Sequence, residues 1–152
     1  MLLANKVENK DSYTRGHLDR VSDYAVSIGK QIGFNAEQIE EIGYAAILHD
    51  LGKINVPIEI LNKKGRLSDD EFEVIKKHSQ DGAVFVKDTY YEHLATIINQ
   101  HHEKIDGTGY PQGLCGDEIS LEAKIISVAD AYDAMTSDSP YRKGMAKEEA
   151  IE

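Results

Sequence analysis

Five of the six histidines in this chain lie in polar or turn-flanked sequence, accompanied by carboxylates, as metal ligands usually are. They are His17, His49, His78, His101 and His102. The centre of the pattern is the segment 45–53, in which His49 and Asp50 bring a nitrogen and an oxygen ligand to one point and Lys53 adds a cation. Imidazole and carboxylate together suit zinc, iron, manganese or nickel. The sequence therefore predicts a metal centre.

The ligand types favour two ions over one. Asp50 is the natural link between two ions, because a carboxylate has two oxygens and this one stands beside His49. Adjacent residues within a helix point about 100° apart, so His101 and His102 cannot both reach one ion from a helix interior. At a helix end that passes into a glycine-rich loop, the backbone can turn and both rings can converge. We therefore expect a dinuclear site.

Composition bounds the class of protein. A chain of 152 residues, 41% apolar and 29% charged, is typical of one soluble globular domain. Its 17 basic and 27 acidic residues give a net charge of −10, which argues against duplex DNA or an anionic membrane surface as a partner. Bound cations would offset this charge locally, so a phosphate-bearing substrate stays compatible with it.

Three further features indicate a cytoplasmic location. Cys115 is the only cysteine, so no disulfide can form within the chain, as in proteins of reducing compartments. The longest apolar run, residues 44–48, is far shorter than the roughly 20 residues that span a bilayer. No signal-peptide core follows Met1. The sequence therefore predicts no membrane insertion.

Helices must position these ligands. Apolar spacing and capping residues predict helices at 15–33, 35–52, 68–78, 81–87, 91–101, 120–136 and 146–152. Each predicted histidine ligand then lies at or near a helix end, and residues 103–117 are rich in glycine and must form a loop. No strand pattern persists, so we expect an all-α fold. The chain starts and stops in helix-like sequence, which predicts one domain, residues 1–152, excised from a longer protein with an upstream sensory or receiver domain.

Ordered motifs over about 130 residues resemble the HD-GYP subgroup of the HD-domain metal-dependent phosphohydrolases. The motifs are Asp11–His17 followed by Arg20 and Val21, Leu48–Ile54, His101–Pro111 followed by Gly113 and Leu114, Val128–Ser137, and Pro140–Arg142. A His-Asp pair alone carries little information, whereas this ordered set makes a chance match improbable.

The resemblance implies an HD-domain helical bundle that holds two divalent ions, with iron or manganese favoured over zinc or nickel. Its implied ligands are His17, His49, Asp50 and Asp130 for the first ion, and Asp50, His78, His101 and His102 for the second. A water bridging the ions would attack phosphorus in line. Besides Asp50, the implied catalytic residue is Lys53, which would hold a phosphate oxygen. The implied substrate is cyclic di-GMP, opened to pGpG and often cut further to GMP.

The chain departs from the family pattern at several points, among them Asn55 and Lys64, which replace a common glycine and a common proline in the loop after His49 and Asp50. Ser139 stands where members usually carry an arginine that helps grip the dinucleotide, which leaves Arg142 as the implied substrate contact. Tyr13 stands where some members carry a glutamate for a third ion, and this favours two ions. The final helix expected after Ile151 is absent, which predicts truncation at the C-terminal end.

Several residues keep two interpretations. Asp133 is either a surface carboxylate or the partner of a ligating histidine. Lys53 either offsets a helix dipole or binds phosphate. Tyr110 either packs within the glycine-rich loop or lines the substrate pocket, and Glu103 is either solvated or functional.

The function also has alternatives. One is a phosphodiesterase for another cyclic dinucleotide, such as cyclic GMP-AMP, motivated by Ser139. The other is a signalling module that binds metal or nucleotide without turnover. A homodimer is among the assemblies that the sequence allows.

Overall fold

The computed structural model describes residues 2–11, 16–138 and 143–151. Within these ranges the chain forms eight α-helices, which are α1 (Leu2–Lys10), α2 (His17–Gln31), α3 (Ala36–Leu48), α4 (Ile58–Leu61), α5 (Asp69–Lys76), α6 (His78–Val86), α7 (Ala95–Gln100) and α8 (Leu121–Thr136). Short 3₁₀ helices lie at Leu51–Asn55, Glu92–Leu94 and Gly116–Glu118. The described ranges hold no β-strand, only an isolated bridge between Asp106 and Cys115. The predicted all-α fold is confirmed.

The hydrophobic core lies between α2, α3, α7 and α8. Each of these helices contributes a side chain that is 0% exposed: Val21, Ile42, Ile98 and Ile126. Burying a side chain of this size stabilises the fold by about 1.5–3 kcal/mol relative to leaving it in water. Because most of the predicted ligands lie on or next to these four helices, core packing also fixes the distances between the ligands.

The sequence predicts capping boxes at two helix starts, because Asn35 is followed three residues later by Gln38 and Ser68 by Glu71. Asn35 accepts from the Gln38 backbone N–H, and the Gln38 side chain accepts from the Asn35 N–H in return. Ser68 and Glu71 form the same reciprocal pair at the start of α5. Each pair satisfies N–H groups that the helix itself leaves without partners. Both predicted capping boxes are confirmed.

Helix bounds differ from the prediction in several places, including α4, which the sequence pattern missed, and His78, which begins α6 and does not end the preceding helix. The sequence pattern missed α1, a short helix that packs through the buried residues Ala4 and Val7. The helix predicted at 35–52 ends as an α-helix at Leu48 and continues as the 3₁₀ helix Leu51–Asn55. Residues 147–151 form turns instead of the predicted helix. Short segments depend on tertiary packing, which periodicity does not report.

Apolar spacing predicts a core face that includes Phe72 and Ile75 on α5, and one formed by Leu121, Ile125, Val128 and Tyr132 on α8, and both need correction. Phe72 is 44% exposed, and Val128 and Leu121 are 62% and 50% exposed. On α8 the buried residues are Ala123, Ile125, Ile126, Ala129 and Asp133, so of the predicted stripe only Ile125 is buried. Two alanines and a carboxylate make up three of these five residues, so counting large apolar residues placed most of the core face on the wrong side. No helix among the described residues is both long and apolar enough to cross a membrane.

Two glycines let the 3₁₀ helix Leu51–Asn55 press against α6. A Cβ at Gly52 would lie 1.9 Å from the His78 carbonyl oxygen and 2.6 Å from the Gly82 backbone nitrogen. A Cβ at Gly82 would lie 3.4 Å from the Gly52 nitrogen. The two backbones therefore touch without side chains between them. This contact brings the start of α6, and with it His78, beside the segment that carries Asp50.

Candidate metal centre

Helix ends from distant parts of the chain meet in a buried cluster. His17 is the first residue of α2, His49 follows α3, His78 is the first residue of α6 and His101 follows α7. His49 and His101 are 0% exposed, His78 is 1% exposed and Asp50 is 4% exposed. Burial of this many polar rings requires partners, because a buried polar group without one costs stability.

The cluster divides into two groups of ligand atoms. Among the described residues, one atom from each of His17, His49 and Asp50 lies within 4.8 Å of the others. The same holds for His78, His101 and His102. The structure thus brings together six of the seven residues predicted as ligands, in the two groups that the resemblance implies. The seventh, Asp130, has its Oδ1 3.4 Å from Nε2 of His17.

Asp50 lies between the two groups. Its Oδ2 is 3.4 Å from Nε2 of His49 and 3.9 Å from Nε2 of His17. Its Oδ1 is 3.5 Å from Nε2 of His78. Each oxygen therefore faces a different group, which is the geometry that a bridging carboxylate needs.

The backbone fixes the tautomer of three histidines. In His49, His78 and His101, Nδ1 lies 2.6 Å from the carbonyl oxygen of the residue three positions earlier. A carbonyl oxygen only accepts, so Nδ1 must carry the hydrogen in each ring. Nε2 is then left with its lone pair, directed at the centre of the cluster. An outer hydrogen bond of this kind orients most metal-binding histidines.

These lone pairs fit a cation. Among the described residues, the buried Nε2 of His49 has no hydrogen-bond partner. Nε2 of His78 and Nε2 of His101 lie 3.3 Å apart, although the tautomers above make both of them acceptors. Two facing lone pairs repel each other unless positive charge lies near both. The donor set of imidazole nitrogens and carboxylate oxygens therefore fits divalent metal ions.

Electrostatics keeps the second group neutral. Burial lowers the pKa of His101 far below its usual range, and the neighbouring His102 lowers it further. Burial lowers the pKa of His102 to about 3, with His78 adding to the effect. Burial also lowers the pKa of His78. All three rings are therefore unprotonated at neutral pH, as ligands must be.

The first group attracts positive charge. Burial lowers the pKa of His49, but the carboxylates of Asp50 and Asp130 outweigh burial and raise it to about 9. Burial raises the pKa of Asp50, but Lys53 and His49 hold it well below its usual range. A proton and a metal ion compete for the same lone pair on His49. The negative potential that favours the proton equally favours the ion.

Asp133 orients His17 from α8. Its Oδ2 accepts a hydrogen bond from Nδ1 of His17 at 2.8 Å, which leaves Nε2 of His17 facing Asp50 and Asp130. Arg20 donates to both Asp133 oxygens, at 2.6 and 3.0 Å. Burial would raise the pKa of Asp133, but the bonds from His17 and Arg20 hold it well below its usual range. Of its two interpretations, the geometry is that of a histidine partner, 2% exposed.

Lys53 is paired with Asp50. Its Nζ donates to Asp50 Oδ2 at 2.7 Å. Burial lowers the pKa of Lys53, but Asp50 outweighs it and raises the value, so the ammonium stays charged. The segment is held from α1, where Nζ of Lys10 donates to the carbonyl oxygens of Ile54, at 2.8 Å, and of Val56. Sequence reasoning missed Lys10, because no local pattern marks a contact across more than 40 residues.

Tyr110 forms one wall of the second group. Its ring stacks on His102 with centroids 4.8 Å apart, and it meets Phe72 edge-on at 6.2 Å. Nζ of Lys76 lies 5.8 Å from its centroid. Burial raises the pKa of Tyr110, and Asp50 adds to the effect, so the phenol stays protonated. Tyr110 therefore shapes the site and does not serve as a base.

Glu103 organises the glycine-rich loop. It is 4% exposed, and its carboxylate accepts from the backbone N–H groups of Gln112, at 2.6 Å, and Leu114, at 3.0 Å. Asp106 makes a local turn by accepting from the backbone N–H and the hydroxyl of Thr108. Glu103 is thus buried and bonded to the loop backbone, where the sequence left a solvated and a functional interpretation open.

Some predicted residues lie outside the described ranges. They are Tyr13, Ser139 and Arg142. Arg142 as a substrate contact therefore stays a prediction.

Known proteins resemble this chain over nearly its whole length. A family model described as HD domain matches residues 1–152. A cyclic di-GMP phosphodiesterase of Pseudomonas aeruginosa is 41% identical over 148 residues, which cover 96% of this chain and 36% of that protein. A 3'3'-cGAMP-specific phosphodiesterase of Vibrio cholerae is 39% identical over 146 residues, which cover 95% and 32%. The chain thus spans about a third of the length of these relatives.

A solved structure shares the arrangement of helices. Bd1817, an HDG"Y"P protein from Bdellovibrio bacteriovorus, superposes with a TM-score of 0.72 at 29% identity, over 88% of this chain and 43% of that one. The family model, the sequence relatives and this fold agree with one another. The chain belongs to the HD-domain family, in the HD-GYP subgroup that its motifs predict.

Proposed function

We propose that this chain is the catalytic domain of a metal-dependent phosphodiesterase that hydrolyses cyclic di-GMP to pGpG, GMP or both. The observation that carries the proposal is the position of Asp50, whose two oxygens face separate groups of buried histidines. Phosphodiester hydrolysis commonly uses two metal ions bridged in this way. The name of the Pseudomonas aeruginosa relative supports the substrate.

The proposed cofactor is a pair of divalent ions, iron or manganese in preference to zinc or nickel. The first would be held by His17, His49, Asp50 and Asp130, and the second by Asp50, His78, His101 and His102. When bound, such ions lower the pKa of water and neutralise charge that develops on phosphoryl oxygens.

The residues of the chain supply orientation and charge. Asp50 fixes the distance between the two groups, because its single carboxylate faces both. Lys53 uses one N–H donor on Asp50 and has two more, one of which would bind a non-bridging phosphate oxygen. Tyr110 closes the site beside His102 and limits how a dinucleotide enters. Arg142 is the second proposed phosphate contact.

Hydrolysis is the direct test. Protein purified anaerobically and loaded with Mn²⁺ or Fe²⁺ should convert cyclic di-GMP to pGpG or GMP, as measured by chromatography. The variants Asp50→Asn and His101→Ala should lose activity to background. His93→Gln is the matched control, because His93 is 45% exposed and pairs only loosely with Glu41 at 3.7 Å. Protein that retains two ions and yields no product would contradict the proposal.

Cyclic GMP-AMP is the second candidate substrate. The Vibrio cholerae relative is named for it, and Ser139 stands where an arginine would contact the usual dinucleotide. Comparing kcat/KM for the two cyclic dinucleotides decides between them. A signalling module that binds without hydrolysis has less support, because every ligand position of the family pattern is filled in this sequence. We also propose that the protein is cytoplasmic, that it forms a homodimer and that a sensory or receiver domain precedes this domain in the whole protein.

A further inference from the structure

We propose that Arg20 is a positioning residue that acts through Asp133 to hold Nε2 of His17 in the first group of ligands. The inference rests on the proposed function, in which His17 binds a metal ion. Arg20 lies one helical turn after His17 on α2, and Asp133 lies on α8, which packs against α2.

His17 differs from the other buried histidines in how its ring is oriented. His49, His78 and His101 each donate from Nδ1 to a carbonyl oxygen of the preceding helical turn. His17 is the first residue of α2, so its own helix provides no preceding turn. Its Nδ1 donates instead to a side chain, Asp133, at 2.8 Å. The orientation of His17 is therefore only as well defined as that of the Asp133 carboxylate.

Arg20 fixes the orientation of the Asp133 carboxylate. The guanidinium donates from Nε to Oδ1 at 2.6 Å and from Nη2 to Oδ2 at 3.0 Å. Two parallel bonds to one carboxylate fix its plane as well as its position. Ser137 adds a weaker bond to Oδ1 at 3.1 Å. Of these donors, Arg20 alone grips both oxygens.

The chain leaves room for this guanidinium. Gly16 has a φ of 72°, and a Cβ there would lie 3.1 Å from Nη1 of Arg20. A lysine at position 20 would preserve the charge but could not form the two-pronged contact, because it has a single ammonium. The shape of arginine, beyond its charge, therefore matters here.

Metal affinity in the absence of substrate tests the inference. Apoprotein would be titrated with Mn²⁺ alone, for the wild type and for Arg20→Lys, Arg20→Gln and the control Arg66→Gln, an exposed arginine outside the cluster. We expect Arg20→Gln to weaken one of two sites by about 10–100-fold, the usual effect of losing an outer-sphere partner. Arg20→Lys should recover only part of this loss, and Arg66→Gln should match the wild type.

Kinetics and NMR separate positioning from general stability. We expect kcat to fall in Arg20→Gln with KM for the dinucleotide nearly unchanged, and added Mn²⁺ to restore part of kcat. In metal-free protein, the ¹⁵N shifts of His17 should report a single tautomer in the wild type and a mixture in Arg20→Gln. Wild-type Mn²⁺ affinity together with an unchanged His17 spectrum in folded Arg20→Gln would overturn the inference.

A double-mutant cycle tests directly whether Arg20 acts through Asp133. If Arg20 acts through Asp133, the variant with both Arg20→Gln and Asp133→Asn should bind Mn²⁺ no more weakly than Asp133→Asn alone. Additive losses would contradict the inference. A wild-type protein that binds two Mn²⁺ ions but hydrolyses no cyclic dinucleotide would refute the proposed function and leave these measurements on Arg20 valid.

Discussion

Replacing Gly52 with alanine should disable the site without touching a ligand. The backbone of Gly52 is compatible with alanine, since its φ is not among the positive values, so the effect is steric. The new Cβ would lie 1.9 Å from the His78 carbonyl oxygen, whereas ordinary contact begins at 3.4 Å. The start of α6 must therefore retreat by about 1.5 Å.

That displacement is large on the scale of the site. Nε2 of His78 lies only 3.5 Å from Oδ1 of Asp50, and both must bind the same proposed ion. A misplacement of about 1 Å can reduce catalysis about 100-fold, and overpacking costs about 1–3 kcal/mol of stability. We therefore expect Gly52→Ala to fold, to melt at a lower temperature and to lose at least about 100-fold in kcat.

The assay is kcat with metal content and melting temperature measured on the same preparations. Gly43→Ala is the matched control, because its Cβ would make an ordinary contact, 3.4 Å from Val26. Gly43→Ala should keep wild-type activity and melt no lower than the wild type. Folded Gly52→Ala with wild-type kcat and two bound ions would refute the argument that this backbone contact sets the distance between His78 and Asp50.

Three other predictions follow from the site. Protein in metal at about 100 times Kd should melt about 5–10 °C higher than the same protein treated with a chelator, as measured by calorimetry. The reason is that the ions would bind only the native state, where they would offset the repulsion between facing lone pairs. Asp133 has a folded-state pKa held well below its usual value, so its contribution to stability is present above about pH 4 and is lost as pH falls further. In Asp133→Asn, the free energy of unfolding measured in urea should fall less steeply below about pH 4 than in the wild type. An unchanged dependence on pH would contradict this explanation. Glu103→Gln should destabilise the protein by about 1–3 kcal/mol and raise KM, because the new amide NH₂ would face a backbone N–H of the loop. Urea unfolding measures the loss of stability, and steady-state kinetics measures KM.

Local sequence was sufficient to predict the starts of two helices, α3 and α5. The capping pairs at Asn35 and Ser68 join residues that are three positions apart, so the residue types alone are enough to recognise them. The convergence of His101 and His102 was inferred from the glycine-rich loop that follows them, whereas the division of the ligands into two groups came from the family resemblance. The structure places one ligand atom each of His17, His49 and Asp50 close together.

Long-range packing was not predictable from the sequence. The contact of Gly52 with α6 and the bond from Lys10 to the 3₁₀ helix each join segments that no local pattern relates. The buried side of α8 was misassigned because it carries alanines and Asp133 where a large apolar stripe was expected. Asp133 is buried because it has partners, and those partners are visible only once α2 lies against α8.

His17 and the other buried histidines of the candidate metal centre differ in their tolerance of mutation. Three rings take their orientation from main-chain carbonyls, which every residue type supplies, so neighbouring side chains can vary with little penalty. His17 relies on a chain of two specific side chains, either of which a single nucleotide change can remove. Over evolutionary time, loss of function in this architecture should therefore begin at the interface of α2 and α8.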